Sequence, residues 1–324
     1  MWRTLVVGAA LFSAVVVAAH QGTAQILSKR PMTIVIPYTP GASSDTFQRF
    51  VAKKVTDDTG QLIVVESRAG GSGTVGAMVV KQAPADGYTL FQANSGTHAA
   101  NVTLYPSLPY DPIKDFTAIT LMWSFPQLLV VPSNSGVKTP ADLIALAKTK
   151  PGGLSFGSQG NGSTGHILGE MLRSVSGTNM VHVPYRGAAA ASLDVSTGRI
   201  DFLFVSYASV LPFLQSGTAR PIANAGSSRL KILPDVPLMS ELGFQGFDIG
   251  AWFGLVGPAG MPEPLVTKIH AAFAQAIRSP DLAKQFEDQG AEAITDTPSE
   301  FAAFIASEVK RQGSMVRTLG IKAE

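Results

Sequence analysis

The chain has 324 residues, 45% of them hydrophobic and 15% charged, with a formal net charge of +2. That balance is enough to bury a full core and excludes a disordered chain, while the charge is too small and too evenly spread to serve nucleic acid or an anionic membrane. There is no cysteine, which excludes disulfides, thiolate metal sites and thiol catalysis.

The first elements read as an export signal. Arg3 precedes an uncharged apolar run from Leu5 to Ala19. The run has the length of a signal-peptide core and falls short of the ~20 apolar residues that span a bilayer. Gly22, Thr23 and Ala24 supply small residues for cleavage before Gln25, so residues 1–24 are expected to be removed. The alternative is an N-terminal anchor helix.

From there, short apolar runs alternate with helical stretches. Residues 32–38, 61–66, 88–93, 154–158, 180–185 and 200–206 have the pattern of buried strands. Residues 44–58, 74–83, 140–150, 164–176 and 188–197 have helical length and pattern. The alternation predicts an α/β fold with parallel strands. Two helix starts are marked by a capping Thr, Pro at the first helical position and an acid three residues on: Thr139-Pro140-Ala141-Asp142 and Thr297-Pro298-Ser299-Glu300. Residues 119–133 and 247–258 are long apolar segments without helix starts. They predict a chain that leaves one lobe, builds a second and returns. The expected division is residues 25–122 plus 249–324 for the first lobe and 123–248 for the second. The tail, 262–319, is predicted helical apart from a break near 291–295.

In open α/β sheets, ligands bind beyond the carboxyl ends of the strands. The loops there are rich in Gly, Ser and Thr and nearly free of acids. The first, after the opening strand, contains Tyr38, Gly41, Ala42, Ser43 and Asp45. Gly41 permits a tight turn, and the helix that follows offers free N–H groups. The others are Asn94 to His98, with Thr97; Ser158 to His166, with Gly160, Gly162 and Ser163; Tyr185-Arg186-Gly187-Ala188; and Ser206 with Tyr207. Such donors suit a small carboxylate or another oxyanion. One helix N-terminus contributes only ~0.3–2 kcal/mol to an anion, against the ~8 kcal/mol of micromolar binding. Direct hydrogen bonds and closure of the lobes must supply the rest. Arg186 is the cation candidate; its plain alternative is a solvated surface side chain.

Catalytic patterns are weak. Ser163 lies in Asn161-Gly162-Ser163-Thr164-Gly165, which lacks the first glycine of a nucleophile elbow. A Ser163/His166 hydrolase, with the two residues three apart on a helix, is the enzymatic alternative. His98, His166, His182 and His270 show no metal-ligand spacing, and His182 fits a structural role in a strand. Asp86 reads as a turn residue, and Asp111 and Asp115 as caps or salt-bridge partners. Gly71, Gly73 and Gly76 spell the G-x-G-x-x-G of a dinucleotide turn, but the next strand ends on Asn94, with no acid for a ribose. The dinucleotide reading is set aside.

Taken in order, the stretches 37–49 (PYTPGASSDTFQR), 65–77 (VESRAGGSGTVGA), 84–90 (PADGYTL), 108–116 (LPYDPIKDF), 158–166 (SQGNGSTGH), 183–191 (VPYRGAAAA), 233–247 (LPDVPLMSELGFQGF) and 252–269 (WFGLVGPAGMPEPLVTKI) resemble the Bug-type periplasmic solute receptors of tripartite tricarboxylate transporters. The likeness runs over the whole mature chain. It implies a two-lobed type II periplasmic-binding-protein fold, with two crossover segments, that closes on a small organic carboxylate in the periplasm. It implies a monomer that meets membrane permease subunits, with no cofactor, no nucleic acid and no catalysis. A sensory receptor for the same ligands is the alternative. The resemblance places one carboxylate against the loop of Tyr38, Gly41, Ala42, Ser43 and Asp45, with the loops at Asn94–His98, Ser158–His166 and Arg186–Ala188 completing the pocket. The chain departs from the family where Ala42 replaces a glycine and where Val205, before Ser206, replaces an acid. Loss of that acid argues against a ligand ammonium and for a plain carboxylate.

Overall fold

The computed structural model describes residues 30–322; the expected signal peptide and its cleavage site lie outside them. Strand β1 (Met32–Ile36) pairs in parallel with β2 (Ile63–Ser67) and β3 (Thr89–Asn94). Helix α1 (Ser43–Thr59) connects the first pair and α2 (Thr74–Lys81) leads from β2 to β3. These are the right-handed units that parallel strands require. After β3 a wide turn over Gly96–Ala100, closed by Ala100 N–H to the Ser95 carbonyl at 3.0 Å, runs into the one-turn helix α3 (Asn101–Leu104).

Strand β4 (Phe116–Phe125) belongs to this first sheet, but β5 (Gln127–Pro132) belongs to a second. Pro126 stands between them. Lacking an N–H, it interrupts the ladder and lets the chain change sheets. The second sheet is then built from α4 (Pro140–Thr149), β6 (Leu154–Ser158), α5 (Thr164–Ser176), β7 (Met180–Pro184), α6 (Ala188–Ser196), β8 (Phe202–Val205), α7 (Tyr207–Gln215) and β9 (Ala219–Ala225). Strand β10 (Ala251–Pro258) returns to the first sheet, followed by α8 (Glu263–Ile277), α9 (Pro280–Glu287), β11 (Glu292–Ala293) and α10 (Pro298–Thr318). The sheet orders are β11-β4-β10-β3-β1-β2 and β7-β6-β8-β5-β9. The result is the expected two-lobed α/β fold with two crossing segments.

Three expectations change. The sheets are mixed: β10 is antiparallel to β3 and β4, and β5 is antiparallel to β8 and β9. These strands arrive from the other lobe without a crossover helix, so nothing forces them to run parallel. Strand β9 adds to the expected strands; its Arg220 and Pro221 break the apolar run that would mark it in the sequence. The tail breaks twice, since α8 stops before Ser279 and Pro280 restarts the helix as α9. Both expected capping boxes are present: Thr139 with Asp142, and Thr297 with Glu300.

Each lobe has its own core. Phe47, Trp123, Phe125, Phe253 and Phe286 pack together in the first. Phe156, Phe202, Phe204 and Phe247 fill the second. Helix α10 spans both: Phe301 and Ile305 pack under the first sheet, whereas Val316 and Met315 pack on the second core.

Candidate functional site

The lobes meet across a cleft and touch. Ser43 Oγ and Ser209 Oγ lie 3.2 Å apart, and Ser95 Oγ and Thr164 Oγ1 3.1 Å apart, each pair joining the two lobes. Between them is an inner chamber of about 70 Å3. It opens towards an outer chamber of about 490 Å3, and Tyr38, Gln159 and Ser163 line both. No charged side chain lines the inner chamber.

Four helix N-termini meet there instead. Helix α1 presents Ala42, Ser43 and Ser44, α5 presents Ser163 and Thr164, α6 presents Gly187 and Ala188, and α7 presents Ser206. The Ala42, Gly187 and Ser206 caps make no side-chain hydrogen bond to their helices. In α1 and α7 the Asp45 and Ser209 N–H groups turn back to the Ala42 and Ser206 carbonyls; the N–H groups before them, and those of the first turn of α6, remain for a partner in the cleft. At ~0.3–1 kcal/mol each, and at most ~2 when partly buried, four ends fall short of the ~8 kcal/mol of a micromolar complex once the cost of association is subtracted. Hydroxyl and amide donors must contribute too. Ser43, Ser44, Ser95, Ser206 and Ser209 line the same chamber, with the amides of Gln127 and Gln159. The floor is aromatic: Phe253 stacks on Trp123 and meets Tyr38 and Phe125 edge-on. Burial pushes the Tyr38 hydroxyl up to about 12, which keeps it neutral and able to donate.

A second layer holds the loops in place. Asp45 is buried; its Oδ2 accepts the Gly41 N–H at 2.8 Å and its Oδ1 pairs with Arg49 at 2.8 Å. It braces the first loop through the left-handed Gly41 (φ +83°). Gln92 donates to the Ser44 carbonyl at 3.1 Å and so supports the start of α1. In the second lobe, His166 Nδ1 accepts the Gly162 N–H at 3.2 Å, and Ser158 Oγ bonds His182 Nε2 at 2.7 Å. Ser158 Oγ also donates to the Gly160 carbonyl. Burial lowers His166 to about 3, helped by the positive potential of His182 and Arg173, and lowers His182 to about 4, helped by Arg173. Both rings are neutral at neutral pH, and the Gly162 N–H requires an unprotonated Nδ1 on His166.

The expected site residues separate into four groups. Tyr38, Ala42, Ser43, Ser163, Gly187, Ala188 and Ser206 line the inner chamber. Asn94, Gly160, Tyr185 and Arg186 line the outer one, where Arg186 is the one charged residue of the lining. Gly41, Asp45, Ser158, Gly162 and His166 act behind the lining, as described. Thr97 and His98 lie deeper still. Thr97 caps the turn after β3, donor and acceptor to Asn94, and His98 is fully buried between Phe91, Phe116 and Tyr110. The wide turn at 96–100 rotates that ring under the sheet and away from the cleft. Asn94 is different. Its Oδ1 accepts from Gly96 and Thr97, while its buried Nδ2 has no partner among the described residues.

The residues not anticipated are instructive. Ser44, Ser95, Gln159 and Thr164 sit inside loops already singled out. Phe125, Gln127, Ala251 and Phe253 come from the crossing strands, where an apolar run reads as core. Only the strand alternation at the sheet change, around Pro126, signals that one face looks into a cleft.

The hydrolase alternative is corrected by the geometry. Ser163 Oγ accepts the backbone N–H of His166 at 3.3 Å as a helix cap, and the His166 ring accepts the Gly162 N–H at its Nδ1. The serine and the ring do not form a nucleophile–base pair. The glycine turn also has a packing explanation. A Cβ on Gly73 would lie 2.4 Å from Thr97 Cγ2 and 3.0 Å from Pro37 Cβ, and one on Gly76 would crowd Phe91 and the Arg68 carbonyl.

Comparison with known proteins fits this geometry. The profile of the tripartite tricarboxylate transporter family receptor matches residues 47–321. The chain belongs to that family, as a Bug-type receptor. It is 31% identical to protein BugT of Bordetella pertussis over 313 residues, 96% of each chain. Among solved structures it is similar to Rpa4515 of R. palustris with adipate, at TM-score 0.86 and 32% identity over 90% of this chain and 98% of that one. It is also similar to MatC of Rhodopseudomonas palustris with bound malate, at TM-score 0.82 and 31% identity over 89% and 99%. No described helix is long and apolar enough to cross a membrane.

Proposed function

We propose that this protein is a periplasmic solute receptor that closes on a small organic carboxylate and delivers it to the permease of a tripartite tricarboxylate transporter. The observation that carries the reading is the convergence of four helix N-termini on a chamber without a charged side chain. Such a chamber takes up one carboxylate through N–H and hydroxyl donors, and the aromatic floor takes the carbon body. The lobes turn about the crossings near Pro126 and Gly250, and the receptor acts as a monomer without a cofactor. The adipate and malate held by two relatives support the ligand class. The absence of an acid in the lining, with Val205 buried in the core and Ser206 at the chamber, supports a plain acid over an amino acid.

A thermal-shift screen tests this. Mono-, di- and tricarboxylates and aromatic acids are compared with matched amines. At least one acid raises the midpoint with concentration, as mass action requires. A complete acid panel without a shift would count against the reading, as would a shift with amines alone.

A further inference from the structure

The cleft is rich in donors, so an acceptor left open there calls for a donor on the ligand. Three carboxamides line it, and neighbouring groups set the orientation of each. Gln159 lines both chambers; its Nε2 donates to the Phe204 carbonyl at 3.0 Å, which puts Oε1 at the other end. Asn101 lines the outer chamber; its Nδ2 donates to the Ser72 carbonyl at 3.0 Å. The Asn101 Oδ1 is buried and has no partner among the described residues. It faces the Gly162 turn of the second lobe, 3.5 Å from where a Cβ on that glycine would stand. Asn94 is held the other way round. Two N–H groups occupy its Oδ1, and its buried Nδ2 is the unpartnered end.

A carboxylate only accepts hydrogen bonds, so it answers Asn94 Nδ2 but not Asn101 Oδ1 or Gln159 Oε1. Those oxygens need a donor. An ammonium group would supply one, but neither chamber has an acid in its lining and the outer one carries Arg186. A hydroxyl gives one hydrogen bond and accepts others, so it suits both kinds of open group without a charge. We propose that the outer chamber is a hydroxyl subsite, read by Asn94, Asn101 and Gln159, and that the ligand is a hydroxy acid. Its carboxylate enters the inner chamber, and the hydroxylated part of its chain lies beyond the neck at Tyr38, Gln159 and Ser163. The inference rests on the carboxylate reading above only for where the acid end sits. A buried acceptor left unpaired is costly, so the site discriminates against the same acid without its hydroxyl.

Calorimetric titration of matched pairs tests this: butyrate with β-hydroxybutyrate, succinate with malate, adipate with hydroxyadipate, and neutral propanol with glycerol. At least one hydroxy acid is expected to bind about ten-fold or more tightly than its parent acid. In Asn101→Leu and Gln159→Met, each checked for folding by circular dichroism, that ratio is expected to fall towards one. Equal affinity within every pair for the wild type overturns the inference, as would follow if water alone filled the subsite. A ratio that persists in the folded variants overturns it too. If no acid binds and glycerol does, the carboxylate class fails while the hydroxyl subsite stands. If no hydroxylated probe binds, the subsite is refuted.

Discussion

His166 lies flat on His182, with ring centroids 3.7 Å apart and planes 8° from parallel. Two imidazolium ions at that separation would repel, and burial already favours the neutral forms. The third buried ring, His98, is lowered to about 3 by burial alone. The folded-state values lie below the ordinary value of 6.5, so the unfolded chain binds more protons at intermediate pH. Stability from these groups is complete above about pH 6.5 and is lost as pH falls towards their folded values. Glu170, raised by burial, works in the opposite direction, so a single variant isolates the effect better than the whole curve. His98→Phe is expected to reduce the fall in melting temperature between pH ~7 and ~4.5, since a neutral ring takes no proton on unfolding. An unchanged fall would contradict the burial of a neutral His98.

Arg186 is the charged member of the outer lining. It forms no ion pair among the described residues. Arg186→Gln is expected to weaken binding of a diacid by roughly ten-fold, the worth of one charge-assisted hydrogen bond, and to leave the matching monoacid nearly unaffected. Calorimetric titration of both acids into both proteins checks the difference. Equal losses for the two acids would assign Arg186 a general role in folding or closure.

Gly73 sits at φ +90° with no room for a side chain. Gly73→Ala is expected to cost about 1–3 kcal/mol from backbone strain and overpacking against Thr97 and Pro37. Chemical denaturation measures it. A neutral substitution would mean that the turn relaxes and that its glycine serves something other than packing.

Ser206 begins α7 at the inner chamber. Ser206→Trp is expected to occupy that chamber and abolish the thermal response to every acid that stabilises the wild type, with the free protein still folded. A retained response would move the ligand out of the inner chamber.

Much of the architecture was legible in the sequence because it is local. Capping boxes at Thr139 and Thr297, and apolar runs separated by helical patterns, follow from contacts within a few residues. The parallel units β1–β3 and β6–β8 came from that alternation. Direction in the crossing strands did not, because it depends on how the chain returns between lobes. The site divides in the same way. Donor-rich loops pointed to Ser43, Ser163, Gly187 and Ser206. Phe253 and Gln127 needed the sheet change at Pro126 before their facing was known. His98 looked like a loop residue in a donor-rich stretch, and a wide turn sends its ring into the core. Asp45 reads in sequence as a loop acid near a ligand; the fold uses it to hold Gly41 and to pair with Arg49.

Capture of a small carboxylate is here assigned to a charge-free chamber ringed by helix N-termini. Isothermal titration of the purified mature protein with adipate, malate and an extended set of mono-, di- and aromatic acids addresses it most directly. Saturable one-to-one binding of at least one acid, abolished by Ser206→Trp, is expected, with no binding of the matched amines. Binding of amines in place of acids, or acid binding that survives Ser206→Trp unchanged, would contradict it.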